Sequence, residues 1–142
     1  MGQRTIYLIA CVVRKHPAPM KARDLYSSTW FKKASELADR RGDQWFILSA
    51  RHGLLDPDHV IEPYDLPLNS ISATDRRKWA KNVVRSLLPR LSSLDRVVIL
   101  AGKLYRENLV SPIHEHGCKV EIPMDGLRIG EQLGWLNEQL KE

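Results

Sequence analysis

Hydrophobic positions in this chain follow two patterns. The runs "TIYLIACVV", "QWFILSA", "DRVVILAG" and "KVEIPM" are short, continuous and rich in β-branched and aromatic residues, as strands buried on both faces of a parallel sheet are. Between them lie longer segments with apolar residues three and four apart. "STWFKKASELADRRG" carries Trp30, Phe31, Ala34, Leu37 and Ala38 at helical spacing, with a Ser or Thr to cap its start and Gly42 to stop it. "SATDRRKWAKNVVRSLLPRL" opens like a capping box, with Ser72 ahead of Asp75. It then places Trp79, Val83, Leu87 and Leu88 on one face, and Arg76, Arg77, Lys78, Lys81 and Arg85 on the others. "KLYRENLVSPIHEHG" reads as a further crossover helix, and "RIGEQLGWLNEQLKE" as a closing amphipathic helix with Ile129, Leu133, Leu136 and Leu140 inward.

Strands that alternate with helices predict an α/β fold with right-handed parallel crossovers. The expected architecture is a single three-layer domain over residues 1–142, a central four-stranded, mainly parallel sheet flanked by helices. No repeat, low-complexity run or linker divides it. At 142 residues, one domain with a proper core is also what length alone predicts.

Composition narrows the function classes. No apolar run reaches the ~20 residues that a membrane-spanning helix needs. The N-terminal apolar run is short and lacks a small-residue cleavage site, so a strand is expected there rather than a signal peptide, in a cytoplasmic protein. Cys11 and Cys118 are far apart and form no CxxC pair, so neither a disulfide framework nor a metal site is expected, and no motif calls for a cofactor. Twenty-two Lys and Arg against seventeen Asp and Glu leave a formal charge of +5, which favours polyanionic partners such as nucleic acid. Oligomeric state is not legible.

In an open α/β sheet, ligands bind beyond the carboxyl ends of the strands, where strand order reverses. Those ends are followed here by "RKHPAPMKARDLY", "SARHGLLDPDHVIEPYD", "AGKLYRE" and "PMDGLRIG", which hold most of the chain's unusual polar residues. His52 lies just beyond the second strand with Glu62 downstream in a proline-stiffened loop; a His oriented by a carboxylate is a general acid or base near neutrality. Asp24, beside Tyr26 at the mouth of the first strand, ranks with Glu62 as a candidate base. Asp24, His52 and Glu62 are therefore the candidate catalytic residues. The candidate binding residues are drawn from the same four turns: Cys11, Lys15 and Tyr26 after the first strand, and Ser49, Arg51, Tyr64 and Asp65 after the second. Gly102 and Lys103 follow the third, and Met124 the fourth. Lys15, Arg51 and Lys103 suit phosphate, and Tyr26 and Tyr64 suit a stacked base. Each has a plainer alternative: a loop His bonded to backbone, a tyrosine packed on the core, a solvated lysine.

"ILSARHGLLDPDHVIEPYDLPL" resembles the segment "LSGLYGLLRPxDxIxPYRLEM" of the peroxide-stress YaaA family. It departs at His52, where that family has Tyr, and at Asp65, where it has Arg. Nearer still is an uncharacterised family of small bacterial and phage proteins sharing "LYxSxxF", "ILSAKHGLLxPxxxIxPYD", "LAGxxYxxxL" and "GLxIGxQLxWL", which here read "LYSSTWF", "ILSARHGLLDPDHVIEPYD", "LAGKLYRENL" and "GLRIGEQLGWL". The YaaA likeness implies DNA binding. The strand-and-loop layout is similar to the uracil-DNA-glycosylase fold, though the "GQDPY" and "HPS" motifs of that fold are absent. Together these lead to an expected function: a DNA-acting enzyme of glycosylase type that cleaves the N-glycosidic bond of a modified base. Two alternatives stand beside it, a non-catalytic DNA-binding protein of YaaA type and an enzyme acting on free nucleotides or nucleosides.

Overall fold

The computed structural model describes residues 3–10, 18–26, 28–64 and 68–141. The first strand, β1 (Thr5–Ala10), is buried along its length and sends Ile6 and Leu8 to one hydrophobic cluster, Tyr7 and Ile9 to the other. A strand with apolar residues on both faces has to be central, and β1 is. It pairs in parallel with β3 (Gln44–Ser49) on one side and with β6 (Arg96–Leu100) on the other; β6 in turn pairs in parallel with β7 (Lys119–Glu121).

A fifth strand, β4 (Gly53–Leu55), extends the sheet antiparallel to β3, giving the order β4-β3-β1-β6-β7. This corrects the expected count of four strands. "GLL" is too short for its periodicity to register, and what makes it a strand is the turn before it. Gly53 takes φ 71°, a left-handed conformation that reverses the chain and lays Leu55 against Ile47. A separate ribbon of two short strands, β2 (Met20–Lys21) and β5 (Val60–Ile61), pairs antiparallel outside the main sheet.

Helices cover both faces. On one side lie α1 (Ala22–Leu25), α2 (Thr29–Arg41) and α6 (Ile129–Leu140). The Ser28 hydroxyl caps α2 by accepting the Phe31 N–H at 3.1 Å, and Trp30, Phe31, Ala34, Leu37 and Ala38 are buried. Gly42 closes α2 where side chains have no room: a Cβ there would lie 2.8 Å from both the Ala38 carbonyl and the Tyr7 ring. The indole of Trp30 donates to Gln132 on α6 at 2.9 Å, locking the two helices together.

On the other side α3 (Ala73–Leu87) is capped by Ser72, which accepts the Asp75 N–H, and buries Trp79, Ala80, Val83 and Leu87. The crossover that follows β6 is broken into α4 (Lys103–Arg106) and α5 (Val110–Glu115) rather than being one helix. Pro112 explains the break. Its ring would clash with the Asn108 carbonyl in a continuous helix and is tolerated only in the first turn of a new one. Ile129, expected to face inward, is 64% exposed at the first position of α6, where it precedes the part of the helix that packs. Among the described residues, no helix is long and apolar enough to cross a membrane.

At the amino ends of the strands, Asp95 is buried and accepts from Arg4 at 2.7 and 3.2 Å and from both the amide and the hydroxyl of Ser92. The Arg4 hydrogen bonds, opposed by burial and reinforced by Ser92, hold its carboxyl below the usual carboxylate range. The folded chain therefore takes up this proton at lower pH than the unfolded chain. The carboxylate's contribution is whole above about pH 4 and is lost as pH falls through the lower, folded value. Asp95→Ala should cost about 1–3 kcal/mol at pH 7 by orphaning these donors. In urea melts at pH 7 and pH 3, the gap between wild type and variant should narrow in acid; an equal gap at both would remove Asp95 as the cause.

Candidate functional site

Strand order reverses at β1, because the chain first adds β3 on one side and then β6 on the other. The crevice beyond the carboxyl ends of these strands is where this architecture binds ligands. Two loops meet there. The β2–β5 ribbon pairs Met20 with Ile61 and Lys21 with Val60, and the pairing continues as Ala22 N–H to the His59 carbonyl and Arg23 N–H to the Pro57 carbonyl, both at 2.8 Å. Backbone hydrogen bonds thus fasten the segment after β1 to the segment after β3.

That fastening sets two tyrosines against the end of β3. Tyr26, only 1% exposed, and the half-buried Tyr64 share a hydrogen bond between hydroxyls at 2.6 Å, and the Tyr64 hydroxyl meets Ser49 Oγ at 2.7 Å. Ser49 is the last residue of β3 and is fully buried. Its Oγ also accepts the His52 backbone N–H at 3.0 Å, and its carbonyl accepts the Trp79 indole N–H of α3 at 2.8 Å. The His52 ring stands edge-on to Tyr64, with centroids 5.3 Å apart. His52, Ser49, Tyr64 and Tyr26 form one connected cluster drawn from both loops.

The cluster has one exposed titratable ring. His52 keeps solvent access, but partial burial, then the cationic Arg51 and nearby His59, push its pKa below the ordinary value. At pH 7 the imidazole is neutral, able to donate from one nitrogen and accept at the other.

The remaining candidates fall elsewhere. Asp24 sits exposed on α1 and lines a groove with Lys32, Ser35 and Glu36 of α2, a groove that Tyr26 also lines, and Glu62 is exposed beside Pro63. Among the described residues, no side-chain hydrogen bond or ion pair joins Asp24, Glu62 or Lys103 to the Ser49 cluster. Arg51 is exposed in the turn after β3. Gly102 caps α4 and Lys103 begins it, both exposed at the end of β6. Met124 is buried in the cluster beneath α2 and α6. Cys11, Lys15 and Asp65 lie outside the described residues. Trp79 was legible only as an apolar core position, although a buried indole needs an acceptor for its N–H, and that need was the available signal. Among the described residues, no group of three or more His, Cys, Asp and Glu is placed to hold a metal ion.

Residues 6–138 match the model of a protein family described as a family of unknown function, DUF6884. The chain is also 30% identical over 138 residues to the uncharacterized protein YfjM of Bacillus subtilis (strain 168), covering 92% of this chain and 87% of that protein. No solved structure matches.

Two measurements probe the cluster. Ser49→Ala leaves the His52 N–H without its acceptor and should lower stability by about 1–3 kcal/mol, read by thermal melting; an unchanged melt would mean that Ser49 is not the node joining the loops. In NMR titrations, the His52 ring should titrate below the ordinary value of about 6.5. Arg51→Gln should raise that midpoint, and an unmoved midpoint would exclude Arg51 as a cause.

Proposed function

The chain belongs to the DUF6884 family, a family of unknown function, and from the cluster at its strand ends we propose that it is a DNA-acting enzyme of glycosylase type, hydrolysing the N-glycosidic bond of a modified base. One observation carries this reading: a neutral, solvent-accessible His52 is held edge-on to Tyr64 at the carboxyl end of β3, in the crevice where an α/β sheet takes its ligand. An extruded base needs aromatic surface and a few fixed polar groups, and Tyr64 and His52 supply both. The +5 charge suits a DNA substrate. So do the likeness of the Ile47–Leu68 segment to the YaaA family and the similarity of the layout to uracil-DNA glycosylase, both as analogies.

In the proposed reaction a water oxygen bonds to C1′ of the sugar as the bond from C1′ to the base nitrogen breaks, and the bonding pair leaves with the base. The carboxylate of Glu62 or Asp24 takes the water's proton. The neutral His52 ring donates a hydrogen bond to the departing base anion, which then picks up a proton from solvent. Arg51 and Lys103, exposed beyond the ends of β3 and β6 on either side of β1, hold flanking phosphates.

A second reading has its own observation. Among the described residues, Asp24 and Glu62 both stand exposed and make no side-chain hydrogen bond to the Ser49 cluster, which suits a protein that holds DNA without cutting it. Labelled duplexes carrying a panel of modified bases, incubated with the protein and then treated with alkali, separate the two. The enzyme reading expects strand breaks at the modified position and a His52→Ala variant whose turnover falls by about 10²–10⁴-fold with little change in affinity. No breaks on any duplex, with binding that survives Asp24→Ala and Glu62→Ala, would leave the binding protein.

A further inference from the structure

Helix α3 carries a second feature, distinct from the Ser49 cluster. Arg77, Lys81 and Arg85 are spaced four residues apart, so they form one stripe along the helix. They edge a groove of about 430 Å³ floored by Ala80 and Val84, with Asn108 and Pro112 as its far wall. Among the described residues, no carboxylate lines this groove.

The three cations also lack ionic partners. Arg77 donates to the Thr74 hydroxyl at 3.2 Å and Arg85 to the Asn82 side chain at 3.4 Å, both neutral groups. Among the described residues, none of the three is in an ion pair, whereas Arg4, Arg23, Arg76, Arg96 and Arg106 are each within 4 Å of a carboxylate. Like charges four apart weaken a helix, so an uncompensated stripe is unfavourable to the fold by itself.

The stripe has a direction. Trp79 of α3 donates to the Ser49 carbonyl at the crevice, so the end of α3 bearing Arg77 lies near the strand ends, and the stripe leads away from them at about 6 Å per step. We infer that the groove is a phosphate track: Arg77, Lys81 and Arg85 hold successive phosphates of one DNA strand beside the nucleotide whose base enters the crevice. This inference rests on the DNA-acting reading above and deepens it by naming the residues that hold the strand. Two guanidiniums favour phosphate, which they grip with two parallel hydrogen bonds, and the apolar floor of Ala80 and Val84 accommodates sugar faces.

Fluorescence anisotropy of the full chain with a 20-base-pair duplex, measured across a salt series, tests the track. The triple variant Arg77→Gln, Lys81→Gln, Arg85→Gln should lose about tenfold or more in affinity, and the slope of log K against log salt should fall by about 2–3. A control triple, Lys32→Gln, Lys119→Gln, Lys141→Gln, removes the same charge from exposed sites elsewhere and should change the slope less. Equal slopes in the two triples would overturn the track, because only net charge would then matter. Displacement of the duplex from wild type, but not from the first triple, by poly-glutamate more readily than by unlabelled duplex would overturn it in favour of an acidic protein partner; tighter binding of an RNA duplex would overturn the DNA assignment. Binding is read without cleavage, so an inactive protein with the expected slope change would sink the glycosylase reading and leave the track standing.

Discussion

A fully buried serine at the end of a core strand governs how this molecule presents its polar loops. Neither the hydroxyl nor the carbonyl of Ser49 reaches water, and a buried polar group without a partner is expensive. Each partner it finds belongs to a different part of the fold: Tyr64 from the long loop after β3, the His52 amide from the turn, and Trp79 from α3. Satisfying one residue therefore fixes the relation of the sheet end, two loop segments and a helix on the opposite face.

The ribbon between β2 and β5 makes that node possible. Loops of this length are ordinarily the least constrained part of an α/β domain. Here backbone pairing brings Tyr26 to Tyr64, and its continuation through Ala22 and Arg23 ties α1 to the same segment. Arg23 strengthens the join by lying within reach of Asp39 on α2 and Asp58 in the loop, with its guanidinium over the Trp45 ring. His52 can then remain exposed while its backbone is fixed, an arrangement suited to an acid–base group.

Much of the scaffold was legible in the sequence because it follows from local rules. Continuous apolar runs gave the four parallel strands, Ser28 and Ser72 cap their helices as their spacing implied, and Gly42 ends α2. What was not legible depends on partners distant in sequence. "GLL" becomes a strand only because Gly53 turns it back onto β3, and "MK" and "VI" only because the ribbon pairs them. The segment after β6 has the length and composition of one crossover helix, and Pro112 divides it into α4 and α5. Of the candidate site, residue types at strand ends pointed to Tyr26, Ser49, His52 and Tyr64, which the structure brings together. Nothing in their spacing could reveal that Ser49 and two tyrosine hydroxyls share one chain, or that Asp24 and Glu62 stand outside it.

Placement of charge separates the two ends of the sheet in a way that bears on function. At the amino ends, Asp95 is buried under Arg4, with four hydrogen bonds from Arg4 and Ser92, so charge there is neutralised internally and serves the fold. Around the carboxyl ends, Arg51 and Lys103 stand exposed, and α3 carries its unpaired stripe away from the same end. Interactions inside the chain suffice to explain the first arrangement. The second leaves positive charge facing solvent around a half-buried aromatic cluster, where a polyanion would gain both counterion release and a surface for its bases. An apolar small molecule would use the cluster and ignore the charge, and an acidic protein would use the charge and ignore the cluster. A nucleic acid strand would use both.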